Sequence, residues 1–466
     1  MLDLQTSKTF LHDDQLAFAE LSGDYNPLHV DPLQSRRLLY GEQVVHGIHL
    51  VLWGLDRICG EKTDSYSIEN LNCVFKAPCR LDDSVELKIY SLENGQACCL
   101  FTQKHAVVCE MSVELSKIES QQADDTQELE QLYDLCNTDL SKLSMASGAI
   151  DICCKRESVR ERFESLYKSI PLQQVSVLIS LSTLVGMVCP GRDSVFSEFE
   201  INRKKNNDIN KLNYTVCNFD DRFNRIQISI KAPHYEGIII SFLRPKPYAV
   251  PTYADIRNSH KISCNGKKAL VVGGSRGIGA VATKMLASAG AEVYFTYYKC
   301  KAEAESIMTE CNSSGANTRT FAFDILDTDP SPLEFQPDMF LYFATPNAFR
   351  GVAGHFSEKL YNQYYEYYVN AFLRLVTQYC TLKQVGIFYP SSVAIDENVP
   401  AMQEYIKAKT VGEKCCSQLQ REHSKWSVLS PRLPRTMSDQ TNSIFAVNNA
   451  DPVQLLAGYM KQLVEV

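Results

Sequence analysis

The sequence predicts a multidomain α/β and α+β chain. Two N-terminal pieces each read as a helix wrapped by an antiparallel sheet, and a doubly wound parallel sheet follows. Three observations lead there. Two strongly apolar helical segments, "HGIHLVLWGLDRI" and "IPLQQVSVLISLSTLVGMVCPG", each precede alternating, strand-like sequence. The proline-rich stretch "FLRPKPYAVPTYADIRNSHKISCNGKK" then breaks the pattern. Beyond it, buried-strand runs alternate with helical ones, as in a parallel sheet covered on both faces.

The bulk numbers agree. At roughly 150 residues per domain, 466 residues allow about three domains or two large ones. A hydrophobic content of 45% with 22% charged residues suits folded cores. The net charge of -8, with no basic block, argues against nucleic acid or an anionic membrane as partner. The longest apolar run, "LQQVSVLISLSTLVGMV", is broken by Gln and Ser and reads as a buried helix, with no membrane span. "MLDLQTSKTF" lacks the basic start and apolar core of a signal peptide. The 17 cysteines are scattered, and the adjacent pairs 98–99, 153–154 and 415–416 lack zinc-type spacing. No metal site is expected, and the thiols read as reduced, in a cytoplasmic protein.

The acidic, Gln-rich "SKIESQQADDTQELEQLYDL" and the proline-rich stretch read as boundaries, giving pieces over 1–120, 140–245 and 262–466. In the first piece, "HDDQLAFAELSG" reads as a helix. Acids occupy its first turn, apolar residues recur at Leu16, Phe18 and Leu21, and Gly23 stops it. The strands "SIENLNCVFKAPCRLDDSVELKIYS" and "GQACCLFTQKHAVVCEMSVELSK" follow the apolar helix. The second piece repeats that order with "SVFSEFEINRK", "KLNYTVCNFD", "NRIQISIKAP" and "EGIIISFLRP". The two share an order of elements but no marked sequence identity. In the third piece, "KKALVVGG", "AEVYFTYY", "TRTFAFD", "MFLYFAT" and "QVGIFYPSS" are strands with helical stretches between them.

Two places carry chemistry. In "LSGDYNPLHVDP", Asp24 and His29 flank an Asn-Pro step. Dehydration beside a thioester carbonyl needs one group to take the C2 proton and another to protonate the leaving C3 hydroxyl. It also needs a donor for the enolate-like oxygen. Asp24 and His29 supply the pair, and Gly47 in "VVHGIHL", at the helix start, offers a free N–H. Asp-x-Asn-Pro is equally ordinary turn chemistry, so spacing alone leaves both readings open.

In the third piece, "VVGGSRGIGA" follows a strand and opens a helix. Gly273, Gly277 and Gly279, with Ser275 and Ile278 between them, have the spacing for a tight turn that seats a pyrophosphate on the helix N-terminus. The second strand lacks a terminal acid for a ribose 2′-hydroxyl. Arg276 and Lys299 lie nearby instead and suit a 2′-phosphate, so NADPH is expected over NADH. Asp324, closing "TFAFD", is placed to meet the adenine. Downstream, Tyr405 and Lys409 are four apart on a predicted helix, and Ser392 lies thirteen residues before Tyr405. Hydride delivery to a ketone leaves an alkoxide. A phenol can protonate it, a nearby ammonium lowers the phenol pKa, and a hydroxyl orients the carbonyl.

"LSGDYNPLHVDP" followed by "VVHGIHL" closely resembles the MaoC-like, R-specific enoyl-thioester hydratases and dehydratases of hotdog fold, over roughly the first 120 residues. The resemblance implies a catalytic pair Asp24 and His29, with Asn26 in support and Gly47 as oxyanion donor. His46 takes the His of the family's His-Gly step, and Ser35 the small residue six positions past the motif His. "LSTLVGMVCPGRDSVFSEFEI" resembles a further part of that pattern without the acid and imidazole, which implies a double hotdog with a non-catalytic second half.

Residues 265–466 resemble the short-chain dehydrogenase/reductase family, implying a Rossmann-type doubly wound parallel sheet. By motif, Ser392, Tyr405 and Lys409 are catalytic, Tyr405 and Lys409 also face the cofactor, and Asn370 in "YYVNAF" matches the Asn of the proton relay. The sequence departs from the family in four places: "FATP" replaces Asn-Asn-Ala-Gly, Val272 replaces a Thr, "PRLPRT" replaces a Pro-Gly step, and the segment from there to the final helix, "DPVQLLAGYMKQL", is short. Together the motifs imply a bifunctional 3-oxoacyl reductase and (R)-3-hydroxyacyl dehydratase. Its thioester substrate would ride on CoA or on an acyl carrier protein in trans, and homo-oligomer formation through the reductase domain stays open. A hydratase feeding (R)-3-hydroxyacyl groups, a hotdog thioesterase, and a nucleotide-binding scaffold without turnover are the alternatives.

Overall fold

The computed structural model describes residues 2–60, 64–91, 95–119, 132–152, 155–204, 209–327, 335–382 and 384–464. Most of the expected acidic linker, and Cys153 and Cys154, lie outside them. The chain divides into a unit of Met1–Lys246 with Ser443–Ala446 and a unit of Pro247–Asn442 with Val447–Val466. Both hotdog pieces thus lie in one unit.

The first unit is built on one antiparallel sheet. Its strands are β1 (Leu2–Thr9), β2 (Ser65–Phe75), β3 (Ser84–Ser91), β4 (Gln96–Gln103), β5 (Ala106–Ile118), β6 (Ser147–Asp151), β7 (Ser194–Arg203), β8 (Lys211–Asp220), β9 (Arg225–Ala232) and β10 (Tyr235–Leu243). Their order is β1-β3-β4-β5-β2-β7-β10-β9-β8-β6. Counted from its outer edge, each half places its strands first, third, fourth, fifth, second. The halves meet where β2 pairs β7, from Asn70↔Asn202 to Val74↔Glu198. Asn70 Nδ2 donates to Asn202 Oδ1 across this seam at 2.7 Å.

Two strands escaped the sequence reading. In β1, exposure alternates from Leu4 to Thr9, but the alternating residues are mostly polar because the strand lies at an outer edge. Short β6 holds the opposite edge.

The helix Gly47–Gly60 is buried nearly all round, as an apolar helix wrapped by a sheet must be. Its counterpart is two elements, not the single helix the sequence predicts: an α-helix Leu172–Thr183 and a π-helical turn Leu184–Val188. Within it Ser176 and Ser180 donate back to the carbonyls of Leu172 and Ser176, a bond that loosens helices locally. The helices of the two halves interlock. Asp56 of the first accepts from the backbone N–H groups of Ser165 and Leu166, both at 3.0 Å, capping the helix Glu164–Ser169 of the second.

The second unit carries β11 (Lys268–Val272), β12 (Glu292–Tyr297), β13 (Asn317–Ala322), β14 (Met339–Tyr342), β15 (Gly386–Phe388), β16 (Ser391–Ser392), β17 (Ser427–Leu429) and β18 (Arg432–Leu433). Six of them form a parallel sheet in the order β13-β12-β11-β14-β15-β17, while β16 pairs β18. This is the doubly wound, Rossmann-type arrangement, with its order reversing between β11 and β14, where such sheets bind ligands. The proline-rich linker is not wholly irregular. Thr252 and Asp255 form a capping box that starts the helix Tyr253–Ser259. Among the described residues no helix is long and apolar enough to cross a membrane.

Candidate active sites

The opening turn is built by three local devices. Gly23, at φ 76°, ends the helix His12–Ser22, its N–H donating to Ala19 O at 2.7 Å. Asn26 Oδ1 accepts from Leu28 N at 3.1 Å and caps the short helix Pro27–Val30, whose first residue is the proline. Asp31 then caps Pro32–Ser35. The succession of caps holds Asp24 and His29 on one turn. Leu16, expected inside, is 41% exposed. Gln15 is buried in its place, because its Oε1 accepts from the backbone N–H of His46.

Asp24 is 2% exposed. Its Oδ1 accepts from Asn26 N at 3.2 Å and its Oδ2 from Ser182 Oγ at 2.7 Å. Burial pushes its carboxyl pKa up, and the electrostatic interaction with the His29 ring, then the Ser182 bond, oppose the rise. His29 Nδ1 lies 2.8 Å from Val44 O, so this nitrogen carries the proton and Nε2 keeps its lone pair. Burial and, second, neighbouring His46 drive the His29 pKa down to about 3, so the ring is neutral at pH 7. The two imidazoles stack with centroids 4.0 Å apart. His46 Nδ1 lies 3.0 Å from Gln15 Oε1 and its Nε2 3.1 Å from Asp24 O, tying the turn to the helix before it. One side-chain oxygen or nitrogen of each of Asp24, His29 and His46 lies within 4.8 Å of the others. Gly47 opens the central helix, and a Cβ there would stand 2.6 Å from the ring of Phe75. Ser35 is fully buried, and its hydroxyl has no hydrogen-bond partner among the described residues.

The second half is part of this site. Asn26 Nδ2 lies 2.9 Å from Gly186 O, 3.4 Å from Gly191 O and 3.2 Å from Arg192 O. Arg244, 3% exposed, donates from Nη2 to Asn26 Oδ1 at 3.3 Å, and burial lowers its pKa to about 10. Ser182, Gly186 and Arg244 were not found by sequence reasoning. Ser182 and Gly186 lie inside "LSTLVGMVCPGRDSVFSEFEI", a stretch read as non-catalytic, and Ser182 is 158 positions from Asp24.

In the second unit, the glycine turn joins β11 to the helix Gly277–Ser288. Gly273 has φ 79°, which excludes ordinary side chains, and its N–H donates to Thr296 Oγ1 at 2.9 Å. A Cβ at Gly279 would overlap Gly273 O. Thr283 Oγ1 donates to the carbonyls of Gly274 and Gly279 at 3.1 and 3.0 Å, fixing the turn over the helix. Ser275 is buried, and Ile278 sits in the first helical turn. Arg276 Nη1 is buried without a hydrogen-bond partner among the described residues. The turn and this donor fit a dinucleotide. Lys299 is exposed, its Nζ 5.0 Å from the Tyr298 ring centroid. Asp324 falls past the end of β13, where its Oδ1 accepts from Leu326 N at 3.0 Å.

Tyr405 and Lys409 share a face of the helix Gln403–Glu422, and Ser392 lies on β16 beside the phenol. The lowered phenol pKa expected from the sequence is not found. Burial pushes Tyr405 up to about 12 against the pull of Ser392. Lys409 instead donates to Pro390 O at 2.8 Å and lies 4.0 Å from the Tyr368 ring centroid and 4.6 Å from that of Tyr389. Burial lowers its own pKa to about 7. Asn370 also departs from expectation. It lies on a π-helical turn, Glu366–Ala371, exposed, its amide donating to Glu366 Oε2 at 2.7 Å; Tyr368 of the same turn faces Lys409.

The chain joins a hotdog-like unit carrying Asp24, His29 and His46 to a Rossmann-like unit carrying Ser392, Tyr405 and Lys409. The MaoC like domain matches residues 2–106, and the short chain dehydrogenase family matches residues 267–331. The chain is therefore a fusion of a MaoC-like dehydratase domain with a short-chain dehydrogenase/reductase domain. A 3-hydroxybutyryl-CoA dehydratase of Methylorubrum extorquens is 32% identical over 87 residues, 18% of this chain and 53% of that protein. A tropinone reductase homolog of Arabidopsis thaliana is 37% identical over 81 residues, 17% of this chain and 25% of that protein. The chain thus spans about half and a quarter of these curated relatives. Among solved structures, a dehydrogenase/reductase from Sinorhizobium meliloti is similar at 18% identity and TM-score 0.37, over 45% of this chain and 91% of that one. The oxidoreductase yciK from E. coli is similar at 17% identity and TM-score 0.39, over 44% and 93%.

Proposed function

We propose that the chain is a bifunctional enzyme of acyl-thioester biosynthesis. Its second unit reduces 3-oxoacyl thioesters with NADPH, and its first dehydrates the (R)-3-hydroxyacyl products to trans-2-enoyl thioesters. The observation that carries the reading is the buried approach of Asp24 to a neutral His29 with a free Nε2.

In the dehydration, His29 Nε2 takes the C2 proton. The C2 electron pair forms the new double bond as the C3–O bond breaks. Asp24, whose carboxyl is pushed up by burial, gives its proton to the departing hydroxyl, which leaves as water. Gly47 N–H meets the thioester oxygen as it gains charge. The proton then returns from His29 to Asp24, its close neighbour, restoring both groups. Hydration is the same path reversed, and the R configuration rests on the family likeness.

When bound, NADPH supplies the hydride. The glycine turn and the unpartnered Arg276 donor support a phosphate-rich cofactor, with exposed Lys299 within the same region of sequence. Ser392 orients the substrate carbonyl, and Tyr405 protonates the alkoxide. Lys409, once protonated, draws that phenol's pKa down. The name of the Methylorubrum relative supports CoA as the thioester carrier; a carrier protein in trans is the other option. The purified chain is therefore expected to oxidise NADPH with acetoacetyl-CoA and to hydrate crotonyl-CoA. If no 3-oxoacyl thioester on either carrier oxidises NADPH, the reductase reading falls. Failure to hydrate any enoyl thioester removes the dehydratase reading.

A further inference from the structure

Three serines line the helix Leu172–Thr183 of the half that lacks the acid and imidazole, and all are buried. Ser176 and Ser180 spend their hydroxyls on the carbonyls four residues back. Ser182 does not. Its Oγ donates to Asp24 Oδ2 at 2.7 Å, in the other half. The next residue, Thr183, donates to the carbonyl of Ser22, so the helix end is clasped to the turn that carries Asp24. Gly186, one helical turn further on, leaves the space that the carboxyl group fills.

We propose that Ser182 is a positioning residue of the dehydratase centre, contributed by the half without the motif. It holds Asp24 Oδ2 and stabilises the carboxylate that forms as Asp24 gives up its proton. The inference rests on the dehydratase reading for its kinetic part only. A hydroxyl bonded to a carboxylate favours the charged form, so it strengthens the acid. It acts through Asp24 and touches no substrate in this reading.

The test compares wild type with Ser182→Ala, Ser182→Thr and, as a control on the same helix, Ser180→Ala. Loss of one bond to a charged group is expected to lower dehydratase kcat about 10- to 100-fold with little change in KM. The limb of the pH profile that reports Asp24 ionisation should move to higher pH by about one unit. Ser182→Thr should restore most of both, and Ser180→Ala should move neither. A readout without turnover accompanies it. The infrared band of the protonated carboxyl, assigned by its loss in Asp24→Asn, is titrated in each variant. In Ser182→Ala its midpoint should rise. An unmoved midpoint overturns the proposal whatever the kinetics. A raised midpoint in a protein that hydrates no enoyl thioester leaves Ser182's hold on Asp24 standing and removes the dehydratase reading instead.

Discussion

Gly186 packs its bare Cα against the carboxyl group of Asp24, so closely that a Cβ at 186 would lie 2.5 Å from the carboxyl carbon. Glycine is required there by space, since one methyl group would displace the acid. Gly186→Ala is therefore expected to lower enoyl hydration about 100-fold, the scale of a misplaced catalytic group. Overpacking should cost about 1–3 kcal/mol of stability. NADPH oxidation by the second unit should be unchanged, and the two assays on one preparation check this.

The two activities should separate cleanly. Asp24→Asn removes a proton donor and is expected to lower hydration by about 10²–10⁴-fold while sparing reduction. Tyr405→Phe should do the reverse. A variant that lost both would point to a folding defect, which a circular dichroism melt would reveal.

Arg276 should set the cofactor preference. Its buried Nη1 lacks a hydrogen-bond partner among the described residues, so a 2′-phosphate would give it one. Arg276→Ala is expected to raise KM for NADPH by about 10- to 100-fold, the value of a charge-assisted bond. KM for NADH should change by much less. Equal losses with both cofactors would assign the arginine to the shared pyrophosphate.

Acid should destabilise the first unit. His29 and His46 have folded pKa values near 3, both lowered chiefly by burial, against about 6.5 unfolded. Between those values the unfolded chain binds protons that the native one refuses. Stability is therefore full above about 6.5 and is lost as pH falls toward 3, at roughly 1 kcal/mol per histidine per pH unit. Asp24 runs the other way. Its raised pKa lets the native form hold a proton that the unfolded form releases, which offsets part of one histidine. Trp53, buried in the central helix, reports on this unit alone in a Trp426→Phe background. Its urea midpoint should be lower at pH 5 than at pH 7.

What was legible in the sequence was what is local along it. Asp24, Asn26 and His29 are held by caps within a few residues of themselves, so their spacing carries their geometry. The glycine turn and the pair Tyr405 and Lys409 are local in the same way. Ser182, Gly186 and Arg244 reach the site through packing of one half on the other, and no spacing encodes that. The placement of Asn370 was hidden for a different reason. A π-helical turn shifts which residues face inward, and the motif position faces solvent while Tyr368 faces Lys409. The direction of the Tyr405 shift was misjudged because burial, which a sequence does not state, outweighs its polar neighbours.

The seam between β2 and β7 has one more consequence. Two identical subunits joined edge to edge must carry every feature twice, whether or not both copies are used. Joined in one chain, the halves are free to differ. One keeps the acid and the imidazole, while the other lends a serine, a glycine and an arginine to its neighbour. The linkage turns a symmetric pair into a division of labour, and a single amino-acid change in either half can then be selected on its own merits.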